Sequence, residues 1–155
     1  MDDLRERLGP QVRTMQIVVA GLTVSPIVFA VIVLVIRFTP LEPASADLLT
    51  KICLVLGLAG LAAHRPLGRF VLGQSLKAIS DRLDDPTALG GAYMSSLLVS
   101  LSMTEGAAFI NLLGFMAARD PLCLAMAALL VLVNLTRFPT LEGVVQWAEN
   151  EMAAR

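Results

Sequence analysis

The sequence predicts an all-α protein, a polytopic transmembrane four-helix bundle with one surface helix and a short tail helix. Three observations carry that expectation. Of 155 residues, 56% are hydrophobic and 16% charged, whereas a soluble domain has about 45–50% apolar and about 25% charged residues. The mean hydropathy is +0.74. One long run, Thr14 to Ile36, is free of charge and lies between Arg13 and Arg37. Cys 2, Gly 11 and Pro 8 exclude a disulfide scaffold, collagen and disorder. Lys+Arg 12 against Asp+Glu 13 leaves a formal charge of -1, which argues against a nucleic-acid partner.

The first span is expected at about 14–37. As a helix the run is roughly 35 Å long, enough for a hydrocarbon core of about 30 Å. Its segment Ile27–Ile36 is rich in β-branched residues, but backbone groups in lipid must pair internally, so helix wins. The second span, about 47–65, starts with Lys51, which can snorkel, and holds Gly57 and Gly60 among small residues. Leu72, Leu76, Ile79 and Leu83 then form one apolar stripe. They predict an amphipathic helix over about 69–83, lying on the membrane surface or continuing the second span out of the bilayer. Asp84-Asp85-Pro86 reads as a helix start, and the third span, about 88–118, carries one charge, Glu105. The fourth, about 121–137, is short, and Asp120 and Arg137 can extend it by snorkelling or local thinning. Thr140 caps a tail helix over about 140–154, with Leu141, Val144, Val145 and Ala148 on one stripe and Trp147 suited to an interface. These elements make one membrane domain, 1–155.

Basic residues sort unevenly around four spans. Arg5, Arg7, Arg13, Arg65, Arg69, Lys77, Arg82, Arg137 and Arg155 fall on one side, and Arg37, Lys51 and Arg119 on the other. Positive charge stays inside, so both termini are expected in the cytoplasm and the chain in the cell (inner) membrane. Ala44-Ser45-Ala46 imitates a signal-peptide cleavage site, but the apolar run before it is too long, and an uncut first helix is expected. Cys53 and Cys123 fall near the extracytoplasmic ends of the second and fourth spans and read as packing residues rather than a disulfide, with no metal-ligand spacing. Arg37-Phe-Thr-Pro-Leu-Glu42 and Arg137-Phe-Pro-Thr-Leu-Glu142 echo each other as similar helix stops.

Glu105 is the candidate site, being the only acid well inside a span. An acidic or basic group at a helix centre costs about 2.5–3.5 kcal/mol on insertion scales, so such groups face the bundle, pair, or take up a proton. At the same depth, Pro26 cannot donate to the carbonyl of Leu22, and a protonated Glu105 could donate there. Ser25 stands beside Pro26, and Ser102 shares the face of Glu105 as a second candidate partner. The set Glu105, Ser102, Ser25 and Pro26 reads either as a proton or cation site or as a hydrogen bond fixing helix register. Asn111 and Thr104 share another face of the third span, and with Asn134 they read as polar packing residues. Gln16 and His64 read as interfacial. With one histidine and no G-x-S-x-G or glycine-rich phosphate loop, the expectation is that the chain is not an enzyme.

Arg13-Thr-Met-Gln-Ile17 and Glu105-Gly-Ala-Ala-Phe-Ile-Asn111 together resemble a set of small bacterial integral membrane proteins with about four spans. That resemblance implies membrane residence and no particular activity. Glu105 among small residues also looks like the proton-carrying helix of rotary ATP synthase c subunits. However, the first span lacks their glycine repeat, and the middle segment does not match their short polar loop. The expected function is therefore a non-enzymatic membrane protein acting by helix packing or as a subunit of an assembly, without cofactor or metal. The alternative is a proton- or cation-linked carrier or channel subunit using Glu105. Expected partners are the lipid bilayer and a second copy or another membrane subunit.

Overall fold

Leu8, Val12, Met15 and Val19 recur at spacings of four and three, and all four are buried. This stripe carries the first helix back almost to the start of the chain. A computed structural model describes residues 2–36, 39 and 41–154. Arg37, Phe38 and Pro40, which belong to the expected first stop, and Arg155 lie outside the described residues. Five helices and no strands occur among the described residues: α1 (Asp2–Val35), α2 (Pro43–Ala78), α3 (Pro86–Ala118), α4 (Pro121–Leu135) and α5 (Leu141–Ala153). The all-α class therefore holds.

Three helices are long and apolar enough to cross a membrane: Leu4–Val35, Pro43–Ala78 and Pro86–Ala118. Of the four expected spans, α4 does not meet that measure. Its 15 residues reach only about 23 Å at about 1.5 Å per residue.

Of the two readings of 69–83, the surface helix is corrected and the continuation of the second span holds as far as Ala78. The segment up to Ala78 continues α2 without a break, through Pro66. Pro66 removes one backbone donor, and nearby His64 donates from Nδ1 to the carbonyl of Leu61 at 2.5 Å. Leu76, Ile79 and Leu83 face a protein core rather than a membrane surface. Turns follow α2, and the Asp85 carboxylate accepts from the Thr87 N–H at 2.9 Å to start α3 as expected.

The chain divides into two compact units. The first comprises residues 1–20, 65–100 and 138–155, and the second 21–64 and 101–137. In the first, Leu8 and Val12 of α1, Leu89 of α3, and Val144, Val145 and Ala148 of α5 make the core. Thr140 caps α5 by accepting from the Gly143 N–H at 3.2 Å. Trp147, expected at a lipid interface, instead packs on Tyr93 with ring centroids 5.0 Å apart. Its neighbours Val144 and Ala148 turn it towards this core. Gln16, read as interfacial, is partly buried and donates to the Pro139 carbonyl at 3.0 Å.

In the second unit one core cluster sets small residues beside a leucine. Ala107, Ala108 and Leu130 are buried, with Leu61, Met126 and Val131 against them. A Cβ on Gly60 would lie 2.7 Å from the Ala107 Cβ, so glycine is what permits α2 and α3 to pack this closely here. Arg119 ends α3 in the left-handed region at φ 56. Its guanidinium donates to the Ile36 carbonyl at 2.9 Å, satisfying an acceptor left open just past α1. The Leu41 N–H donates to the Ala117 carbonyl at 3.0 Å.

Candidate functional site

The second unit brings α1, α3 and α4 together through polar side chains. Ser25 Oγ of α1 donates to Glu105 Oε1 of α3 at 2.5 Å, with both residues half-buried. One turn further on, Phe29 and Phe109 pack with centroids 5.4 Å apart, so the two helices keep the same register over that turn. Pro26 is buried beside Ser25. The expected donation from Glu105 to the Leu22 carbonyl is replaced by this bond. A hydroxyl can give or accept a proton and so suits a carboxyl in either protonation state, whereas a carbonyl only accepts.

Ser102 does not join this pair. Among the described residues no hydrogen bond links it to Glu105. Ser102 is exposed and lines a groove of about 320 Å³ with Ala59, Gly60, Ala63, Met103 and Gly106.

Thr104 and Asn111 share a fully buried face of α3, and Asn134 is buried on α4. The Thr104 hydroxyl contacts Asn134 Oδ1 and also lies 2.9 Å from the Leu101 carbonyl. With its amide turned over, Asn134 Nδ2 would donate to the hydroxyl, and the hydroxyl to Leu101. α3 is tied to α4 through this pair in either orientation. Asn111 Nδ2 donates back to the Ala107 carbonyl at 2.9 Å, while its buried Oδ1 has no hydrogen-bond partner. A Cβ on Gly57 would sit 2.7 Å from Asn111 Nδ2, so that glycine makes room for the amide. Sequence reasoning named all of these residues but did not pair Thr104 with Asn134. Equal depth in neighbouring spans was the available signal.

His64 is buried rather than interfacial, because its ring turns back onto its own helix. Buried Thr23 and Thr50 were not singled out beforehand. Short hydroxyl side chains carry no periodic signal of their own. Ser95 bonds back to the Gly91 carbonyl at 3.0 Å, whereas Ser96 reaches the Gly68 carbonyl of α2 at 2.8 Å. No group of three or more His, Cys, Asp or Glu side chains able to hold a metal ion exists among the described residues.

Chemically, the arrangement provides two polar ties, α1 to α3 and α3 to α4, beside one half-buried carboxyl. No protein-family model matches the sequence, and no curated protein or solved structure matches it either.

Proposed function

We propose that the chain is an integral membrane protein of four crossing helices, α4 included, that works through helix packing as a non-enzymatic component of a larger membrane assembly. One observation carries this reading: the second unit has an apolar exterior and polar residues inside. Val24, Ile27, Val28, Val31, Ile32, Leu34 and Val35 of α1 are exposed, as are Ile52, Val55 and Leu58 of α2. Leu122, Leu129, Leu132 and Leu135 of α4 are exposed as well. Thr104, Asn111 and Asn134 are buried. In water such an exterior would aggregate, while in lipid it is solvated, and hidden polar groups then become the attachment between helices. The short α4 crosses with local thinning of the bilayer, and the basic-residue asymmetry puts both termini in the cytoplasm of an inner membrane.

Membranes washed with high salt and then alkaline carbonate test residence. The protein should stay in the pellet until detergent is added, and release by carbonate refutes the reading. Its size after mild extraction from native membranes tests assembly: a particle larger than the monomer is expected, and a uniform monomer overturns that part. Reporter fusions at the C-terminus and in the 79–85 turn test orientation, and an extracytoplasmic signal from either overturns it.

A second reading, a proton- or cation-linked carrier subunit, draws on Glu105. Its carboxyl is only half-buried and has Ser25 for its partner. Reconstituted vesicles separate the two. A pH-gradient leak abolished by Glu105→Gln favours the carrier, and equally tight wild-type and variant vesicles end it.

A further inference from the structure

Cys53 of α2 and Cys123 of α4 are both free and buried. They meet at Gly114 in the last turns of α3. A Cβ on Gly114 would lie 2.6 Å from Cys53 Sγ and 3.2 Å from Cys123 Sγ. Both sulfurs thus border one notch no larger than a methyl group, and they lie closer together than twice the longer distance. Any residue other than glycine at 114 would fill the space in which the thiols face each other. The Cys53 Cβ is itself 3.1 Å from the position that a Gly114 Cβ would take.

A polar rim stands close to the pair along the chain. Lys51 and Asp47 form an exposed ion pair at 2.6 Å on α2. Asp120 caps α4 by accepting from the Leu122 N–H at 2.9 Å, one residue before Cys123. Cys123 therefore lies in the first turn of its helix, the part that opens most readily.

We propose that Cys53 and Cys123 are a reversible dithiol–disulfide pair, a redox modification site that staples α2 to α4 across Gly114. The oxidant is an external disulfide, R–S–S–R, of a small thiol compound or a protein. One cysteine, as its thiolate, attacks a sulfur of R–S–S–R and expels the first R–S⁻. The second attacks the protein sulfur of that mixed disulfide and expels the other. The two protons of the cysteines end on two R–SH, and two electrons pass from the protein to the external disulfide. The compartment that supplies the oxidant follows from the orientation proposed above, which puts this rim on the oxidising, extracytoplasmic side. The chemistry itself is tested without that assumption.

The reduced full-length protein in mild detergent is incubated with glutathione disulfide, then denatured and labelled with a maleimide polymer. The wild type should lose both maleimide adducts, run as a monomer without reductant, and weigh less by two hydrogens. Dithiothreitol should restore both adducts. Cys53→Ser and Cys123→Ser should each keep one thiol, free or carrying one glutathione, and show no two-hydrogen loss. Wild-type protein that retains both adducts, carries glutathione on its cysteines, or cross-links between chains overturns the proposal. The wild-type mass decides even where a serine variant does not fold. Because the assay runs in detergent, a failed orientation leaves its result unaffected.

Discussion

Replacing Ser25 with alanine removes the hydroxyl that donates to Glu105 at 2.5 Å and leaves that carboxyl oxygen without its bond. Glu105→Gln keeps an acceptor oxygen at the same reach. Glu105→Leu removes it and strands the hydroxyl, which can turn back onto its own helix. Interhelical hydrogen bonds in membrane proteins average about 0.6 kcal/mol and reach about 1.7 kcal/mol. Hydrogen bonds to charged groups run to about 1.5–3 kcal/mol. A half-buried contact to a carboxyl falls between these ranges, at about 1–2 kcal/mol, a factor of roughly 5–30 in the folded-to-unfolded ratio. Stability is measured by detergent-induced unfolding in mixed micelles, with helicity as the readout. Ser25→Ala should cost that amount, Glu105→Leu a similar amount, and Glu105→Gln less than about 0.5 kcal/mol. Combining Ser25→Ala with Glu105→Leu should cost no more than the larger single change, because the bond can be lost only once. A coupling below about 0.3 kcal/mol, within the scatter of independent sites, would refute the claim that this contact ties α1 to α3.

Gly60→Ala places a methyl 2.7 Å from the Ala107 Cβ and 3.3 Å from the Met103 carbonyl oxygen. The variant should lose about 1–3 kcal/mol, whereas Gly106→Ala, whose Cβ meets nothing within 4 Å, should melt like the wild type. Equal melting of the two would sink the close-packing argument. Leu8→Ala hollows the first unit's core, where Leu8 is 0% exposed, at a cost of about 2–5 kcal/mol. The only tryptophan in the chain, Trp147, packs on that core, so its emission should report the loss at lower denaturant, and an unchanged midpoint contradicts the packing. Arg119→Ala loses the bond to the Ile36 carbonyl while keeping a side chain at φ 56. It should be about 1 kcal/mol less stable than Arg119→Gly, which is at ease in that conformation, and identical melting temperatures would show that the backbone strain is immaterial.

Element type was legible in the sequence, and element limits less so. The start signal Asp84-Asp85-Pro86, the uncharged run after Asp120 and the tail's apolar stripe located the third, fourth and tail helices to within two residues at their starts. The first helix begins near Asp2 rather than at 14, because Arg5, Glu6, Arg7 and Arg13 lower the hydropathy of a segment whose stripe Leu8, Val12, Met15 is nonetheless apolar. Hydropathy averages over a whole turn, and burial depends on one face of it. Of the stripe Leu72, Leu76, Ile79 and Leu83, the last three pack on the first unit's core. The surface reading failed and the reading as a continuation of the second span held, since a pattern cannot distinguish a lipid surface from a protein core. At the site, Glu105 and Ser25 were legible because a charge in lipid demands a neighbour. The bond between them was not, because the expected partner of Glu105 was the Leu22 carbonyl, and neither was the meeting of Cys53 and Cys123 at Gly114. That meeting depends on how three helices rotate about their axes, which no single segment encodes.

On the proposed function the two units are held by different forces, and their residues follow suit. The first core uses Leu8, Val12, Leu89, Val144 and Val145. Such large side chains stabilise by leaving water, at about 25 cal/mol per Å² of apolar surface. On the proposed reading the second unit has lipid around it, and moving a leucine from lipid to protein gains almost nothing from hydration. Its exposed leucines and isoleucines therefore do not drive association, and close packing and polar contacts have to. Ala107 meets α2 at Gly60, Asn111 fits against Gly57, and Thr104 ties to Asn134. This is why Thr104, Asn111 and Asn134 lie inside beside Leu101, Leu112 and Leu130, while many bulky apolar residues lie outside: each solvent leaves a different interaction as the one that can distinguish the folded arrangement from the separated helices.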